Sequence, residues 1–212
     1  MRSPLAENQR AALIEAMLPN VPFDGWSRPA LRAAARHVGM PADEAMALFP
    51  NGAAELVACF SRWADSRMLD RLETMDLEPL RIPERIAFAV TTRLEILTPS
   101  REAVRRALSV LALPQHAPLG LRLLYGTVDG IWYAVGDRAT DFSFYTKRGT
   151  LAAVYAATLL YWLDDSSPDF VDTRAFLDRR LAGVASIGKA RQRFEVALER
   201  LPNPLRLLRR FG

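Results

Sequence analysis

Residues 27–50 read SRPALRAAARHVGMPADEAMALFP, and this stretch decides the fold. Ser27 is placed to cap a helix whose first turn holds Pro29, because a serine oxygen accepts an orphan N–H and proline is tolerated where no intrahelical donor is needed. Leu31, Ala34, Ala35 and Val38 then recur at helical spacing up to Gly39, a residue suited to the tight turn. Pro41 to Leu48 reads as another short helix. Upstream, Glu7 to Leu18 carries Leu13, Ala16 and Met17 on one side and stops at Pro19, since proline disfavours helix in the residue before it. Helix, helix, glycine turn, short helix is a helix-turn-helix arrangement.

Working outward, Asn51 to Thr74 predicts a long helix with Leu56, Phe60, Trp63 and Met68 inward. After a loop with Pro79 and Pro83, Ile86 to Leu97 and Glu102 to Leu113 read as two amphipathic helices separated by TPS at 98–100. Leu121 to Trp162 follows as a helical hairpin hinged at Gly136 and the DRATD turn of 137–141. In its first arm Leu124, Val128, Ile131 and Val135 form a core stripe, while Tyr125, Asp129, Trp132 and Tyr133 project along another side. In its second arm Leu151, Tyr155, Thr158 and Trp162 mark the buried side. Phe144, Tyr145, Lys147 and Arg148 fall in the first turns, where cations oppose the helix dipole. Rings mixed with arginine and carboxylate have the composition of an interaction hot spot, and packing between helices accounts for them equally well. SPD at 167–169 caps a last helix beginning near Phe170 and carrying Phe176, Leu177 and Leu181. Alternating strands are absent. The reading is an all-α protein with a helix-turn-helix domain at 1–50, a helical ligand-binding domain at 51–182 and an amphipathic basic tail at 183–212.

Half of the 212 residues are apolar, enough for a substantial core. The single cysteine, Cys59, excludes an internal disulfide, and His37 and His116 sit in no metal-ligand spacing. No apolar window is long enough to span a bilayer, and the N-terminus resembles neither a signal nor a transit peptide. No phosphate loop, nucleophile–histidine pair or carboxylate–metal pattern appears, and Asp164 and Asp165 fall in a turn where they serve as caps. The expectation is therefore a protein without catalytic residues, metal or cofactor.

The HTH line AARHVGM at 34–40, with FP at 49–50, resembles the N-terminal domain of TetR-like regulators. Its charge argues against DNA reading. Asp43 and Glu44 occupy the reading helix, and residues 1–60 carry five arginines against six acidic groups, whereas phosphate neutralisation supplies most non-specific DNA affinity.

Further along, ALPQ (112–115), DGIWYAVGD (129–137), TDFSFYTKR (140–148), TLAAVY (150–155) and SPDF (167–170) closely resemble the coenzyme Q biosynthesis lipid-binding family, the product of the ninth COQ gene. The resemblance runs from about Ala11 to Ala182. It implies a TetR-like all-α fold, a homodimer, an isoprenoid quinone lipid in the C-terminal domain, and assistance to the di-iron demethoxyubiquinone hydroxylase. The family's partner-facing patch falls on Asp141, Phe144, Tyr145 and Arg148, with Ile131 and Trp132 nearby. Phe144 stands where the family pattern has tryptophan, and Gly130 where it has aspartate, so a retuned contact is expected.

The lipid wall is expected among Phe60, Trp63, Phe88, Leu94, Leu108, Leu124, Tyr155 and Trp162, which suit an ordinary core as well. From Arg179 onward nine Lys/Arg face two Glu, a local +7 that leaves −3 for the rest. In that tail Ile187, Phe194, Leu198 and Leu201 share one helical face, and Arg206, Arg209 and Arg210 follow Pro202 and Pro204, a pattern for the membrane interface. These features lead to an accessory protein with no nucleic-acid partner, cytoplasmic and peripheral on the inner face of a bacterial membrane. The alternatives are a TetR-like repressor with a hydrophobic effector, and a membrane-surface scaffold without ligand.

Overall fold

Ser27 does cap the helix that follows it: its Oγ accepts the Ala30 N–H at 3.4 Å. The computed structural model describes residues 4–136 and 142–184, and every regular element among them is helical. The elements are α1 (Pro4–Met17), α2 (Val21–Asp24), α3 (Arg28–His37), α4 (Ala42–Leu48), α5 (Ala53–Glu73), α6 (Ile82–Leu97), α7 (Arg101–Leu111), α8 (Ala117–Ala134), α9 (Phe142–Asp164) and α10 (171–184). Gly39 adopts φ +71° between α3 and α4, a left-handed conformation in which a side chain would be strained. The all-α, TetR-like architecture read from residues 27–50 is the one observed.

Several boundaries differ from those the sequence predicts: a four-residue α2 precedes α3, α1 begins at Pro4, α8 at Ala117 and α6 at Ile82, with Pro83 inside its first turn. Proline is accommodated there because the first helical N–H groups have no intrahelical acceptor, and the Glu84 carboxylate takes up the Arg81 N–H at 2.9 Å.

One core runs through the whole molecule. Leu13, Ile14 and Met17 of α1 and Leu31 of α3 pack in the same cluster as Leu56 and Met68 of α5, Ile131 of α8 and Trp162 of α9. Each such side chain contributes roughly 1.5–3 kcal/mol when fully buried. Polar bonds tie the helix-turn-helix head to the body at several points. The Trp26 indole donates to the Ala103 carbonyl at 3.0 Å, the Arg106 guanidinium to the Pro22 carbonyl at 2.6 Å, and the Trp63 indole to Glu15 at 2.9 Å.

The tightest tie lies at the α4–α5 junction. Arg10 is buried, donates through Nη1 to the Leu48 carbonyl and to Glu55 Oε1 at 3.1 Å, and lies 4.3 Å above the Phe49 ring. Glu55 Oε2 in turn accepts the Asn51 backbone N–H at 3.1 Å.

Candidate functional site

Helix α5 runs through the body, α6, α7 and α8 pack against it, and α9 packs on α8 and α6. Their apolar faces do not close completely. Between them lies a chamber of about 420 Å³ whose wall includes Val57 and Phe60 of α5, Leu97 of α6, Leu108 of α7, Leu123 and Leu124 of α8, and Leu159 of α9. That volume falls in the ~300–1,000 Å³ range of small-molecule pockets.

Of the residues expected to form a lipid wall, Phe60, Leu108, Leu124 and Tyr155 line this chamber. The other four lie elsewhere. Trp63 stacks on Phe60 at 5.9 Å and spends its indole N–H on Glu15. Leu94 and Trp162 are buried in the core, with Trp162 against Phe170 and beneath the Arg101 guanidinium. Phe88 is half-buried at the core's edge.

The chamber also has polar residues that the sequence reading passed over. Ser61, Arg93 and Thr127 face it beside Tyr155. Arg93 Nε donates to Asp65 Oδ1 at 2.8 Å, Nη2 to the Ser61 carbonyl at 3.4 Å and Oγ at 3.3 Å, and Nη1 to the Tyr155 hydroxyl. Thr127 Oγ1 donates to the same Asp65 oxygen at 2.9 Å. Burial works against the Arg93 charge, but Tyr155 and Asp65 outweigh it and raise its pKa, so the guanidinium stays protonated. Burial raises the Tyr155 pKa and keeps the phenol neutral. The available signal was one arginine, Arg93, on the helix face that also carries Val90, Leu94 and Leu97.

The partner-facing positions separate by depth. Tyr145 is 69% exposed at the start of α9, whereas Ile131 is fully buried and Trp132 only 9% exposed. Trp132 was expected on an outward side of α8. Instead it lines a second cleft, of about 280 Å³, with Ile86, Leu151 and Leu181, and the Lys147 ammonium lies 5.6 Å from its ring centre. Arg148 is 4% exposed and donates through Nε to Asp129 Oδ1 at 2.6 Å, joining α9 to α8. Tyr133 is 79% exposed at the end of α8. Asp141, the Phe144 side chain and the tail positions Ile187, Phe194, Leu198, Leu201, Arg206, Arg209 and Arg210 lie outside the described residues.

On the head, Asp43 and Glu44 of α4 are exposed, as are Arg28, Arg32 and Arg36 along α3. Among the described residues no helix is long and apolar enough to cross a membrane, and no group of three His, Cys, Asp or Glu is placed to hold a metal.

A helix-turn-helix head locked onto a helical body around an apolar chamber defines a TetR-like protein. The TetR transcriptional regulator from Nitrosomonas europaea ATCC 19718 superposes with a TM-score of 0.68 at 25% identity, covering 84% of this chain and 98% of that one. Residues 117–188, which span α8, α9 and α10, match the COQ9 family model. The ubiquinone biosynthesis protein COQ9, mitochondrial, of Rattus norvegicus is 37% identical over 183 residues, 83% of this chain and 58% of its own length. The proteins of the same name from Homo sapiens and Bos taurus are 35% and 34% identical over 189 residues, 86% of this chain and 59% of theirs. Over most of its length the chain is similar to these COQ9 proteins, and it spans rather less than two thirds of the length of these relatives. Their names also correct one expectation: a cytoplasmic protein on a bacterial membrane conflicts with relatives that are mitochondrial.

Proposed function

We propose that this chain is a non-enzymatic accessory protein of ubiquinone biosynthesis that binds an isoprenoid quinone intermediate in the α5–α9 chamber and presents it to the demethoxyubiquinone hydroxylase. The observation that carries the reading is the 420 Å³ apolar chamber within a chain similar to the COQ9 proteins. Family likeness supports the pathway, and a wall of leucine, valine and phenylalanine supports a ligand that is mostly hydrocarbon. Tyr145, exposed on α9, is the anchor for the hydroxylase, and Ile131 and Trp132 shape that surface from beneath.

Leu121 and Tyr125 of α8 and Leu160 and Tyr161 of α9 are exposed large apolar residues, and they form the homodimer contact of this reading. The tail beyond Ile187 supplies a cationic, apolar contact with an anionic leaflet. Extraction of purified protein followed by mass spectrometry of the lipid fraction tests the central claim: a stoichiometric isoprenoid quinone is expected, and protein free of any lipid favours a scaffold without ligand. Deleting residues from 187 onward is expected to abolish sedimentation with anionic liposomes while bound lipid is retained.

The exposed arginines of α3 favour a second reading, a TetR-like repressor with a hydrophobic effector. The exposed carboxylates of α4 oppose it. A gel shift on random duplex at low salt decides, with no retardation expected.

A further inference from the structure

The polar part of the chamber is nearly but not wholly satisfied within the protein. Asp65 compensates the Arg93 charge, and the Thr127 proton goes to Asp65. The Tyr155 hydroxyl accepts from Arg93, yet among the described residues nothing accepts its own proton. A phenol is both donor and acceptor, and a buried donor without a partner is costly. Tyr155 lines the chamber, is itself almost fully buried, and is held as the neutral, proton-bearing phenol.

We propose that Tyr155 donates this proton to a neutral carbonyl or ether oxygen of the bound lipid, so that the chamber selects an oxygen-bearing head group and seats it against the Arg93–Tyr155 pair. The inference rests on the reading of the chamber as a lipid site. The hydrocarbon of the ligand lies along Leu97, Leu108, Leu123 and Leu159. Charge decides between oxygen-bearing lipids. Arg93 already faces Asp65 at 2.8 Å, so a fatty-acid carboxylate would enter as a second anion beside Asp65 with no uncompensated cation to meet it. A neutral oxygen needs only the one free donor. A pure hydrocarbon leaves that donor unmet.

The test uses the full chain and three probes: ubiquinone-2, the saturated hydrocarbon pristane, and palmitate, each titrated by quenching of tryptophan fluorescence. Ubiquinone-2 is expected to bind more tightly than pristane, and palmitate most weakly. Tyr155→Phe is expected to lose roughly three- to tenfold in affinity for ubiquinone-2, the fold-change of one neutral hydrogen bond, with pristane unchanged. Isotope-edited infrared spectra of carbonyl-labelled ubiquinone-2 on the wild-type protein provide a measurement that does not depend on how the variant folds. The carbonyl stretch is expected to move to lower frequency on binding. An unshifted stretch, palmitate as the tightest probe, or equal losses for ubiquinone-2 and pristane in a folded Tyr155→Phe protein would overturn the head-group assignment while leaving a lipid chamber in place. Failure of the wild-type chain to bind any of the three probes would remove the lipid reading and this inference with it.

Discussion

Two buried arginines, Arg10 and Arg93, each pair with a carboxylate on α5, and they do different work. Arg10 is buried: Nη1 carries both of its bonds, Nε and Nη2 have no hydrogen-bond partner among the described residues, and the flat face of the guanidinium rests on Phe49. Arg93 distributes its bonds over Nε, Nη1 and Nη2, and a chamber opens beside it. The first pair locks the head to the body. The second arranges donors around a space. An ion pair alone does not tell a strut from a binding group; the presence of volume on its far side does.

The largest expected effect breaks the strut. Arg10→Ala breaks the buried Arg10–Glu55 pair, and breaking such a pair costs about 3–5 kcal/mol. The denaturant midpoint should fall accordingly, and Arg10→Met combined with Glu55→Gln should recover much of the loss, because neither partner is then left charged. If the single substitution left the midpoint unchanged, the junction would not depend on this pair.

Next comes the α8–α9 tie. Arg148→Glu places an acidic group beside Asp129 in a buried setting and should destabilise by about 2–3 kcal/mol, less than the Arg10 change because Asp129 is half-exposed. Tyr145→Ala should leave the melting temperature nearly unchanged and weaken capture of the hydroxylase by roughly 1–3 kcal/mol. Calorimetry and pull-down on both variants separate the two behaviours. Filling the chamber with Leu108→Trp should reduce bound lipid about tenfold or more, with a change in stability of only about 1–3 kcal/mol from overpacking.

The smallest effect depends on pH. The Asp165 carboxylate accepts the Ser167 N–H at 2.7 Å, the Thr173 N–H at 2.9 Å and the Thr173 hydroxyl at 2.5 Å. Burial opposes its ionisation, but these bonds outweigh it and hold its pKa at about 2. The folded value lies below the ordinary carboxylate value, so the stabilisation is complete above about pH 4 and is lost as pH falls towards 2. Asp165→Asn should therefore flatten the dependence of melting temperature on pH between 4 and 2, and an unaltered slope would assign it to other carboxylates.

Periodicity and capping made much of the fold legible. Leu56, Phe60 and Met68 of α5 and Leu151, Tyr155, Thr158 and Trp162 of α9 are buried as their spacing required. Depth around α8 was less legible. This helix packs against α5, α6, α7 and α9, so its buried arc is wider than one stripe and takes in Trp132 as well as Val128 and Ile131. Arg93 and Arg148 eluded the pattern for a related reason. Periodicity assigns charged residues to the outside, and only tertiary placement of Asp65 and Asp129 makes their burial affordable. The space between helices is likewise a residual of packing that no single segment encodes, and so wall residues such as Leu108 could not be told from core residues such as Leu94.

The size of the chamber sets a limit on transport. At ~30 Å³ for a water-sized group, a space of about 420 Å³ holds about 14 such groups, roughly a substituted quinone ring and the very start of its chain. Exposing each further unit to water costs roughly 3–4 kcal/mol at ~0.8 kcal/mol per buried CH₂, so complete withdrawal of a long polyprenyl chain is out of reach for one protomer. On the proposed function, the lipid would be raised head first while its remaining length stays among the acyl chains, and handover to the hydroxylase would take place at the bilayer surface without an aqueous journey.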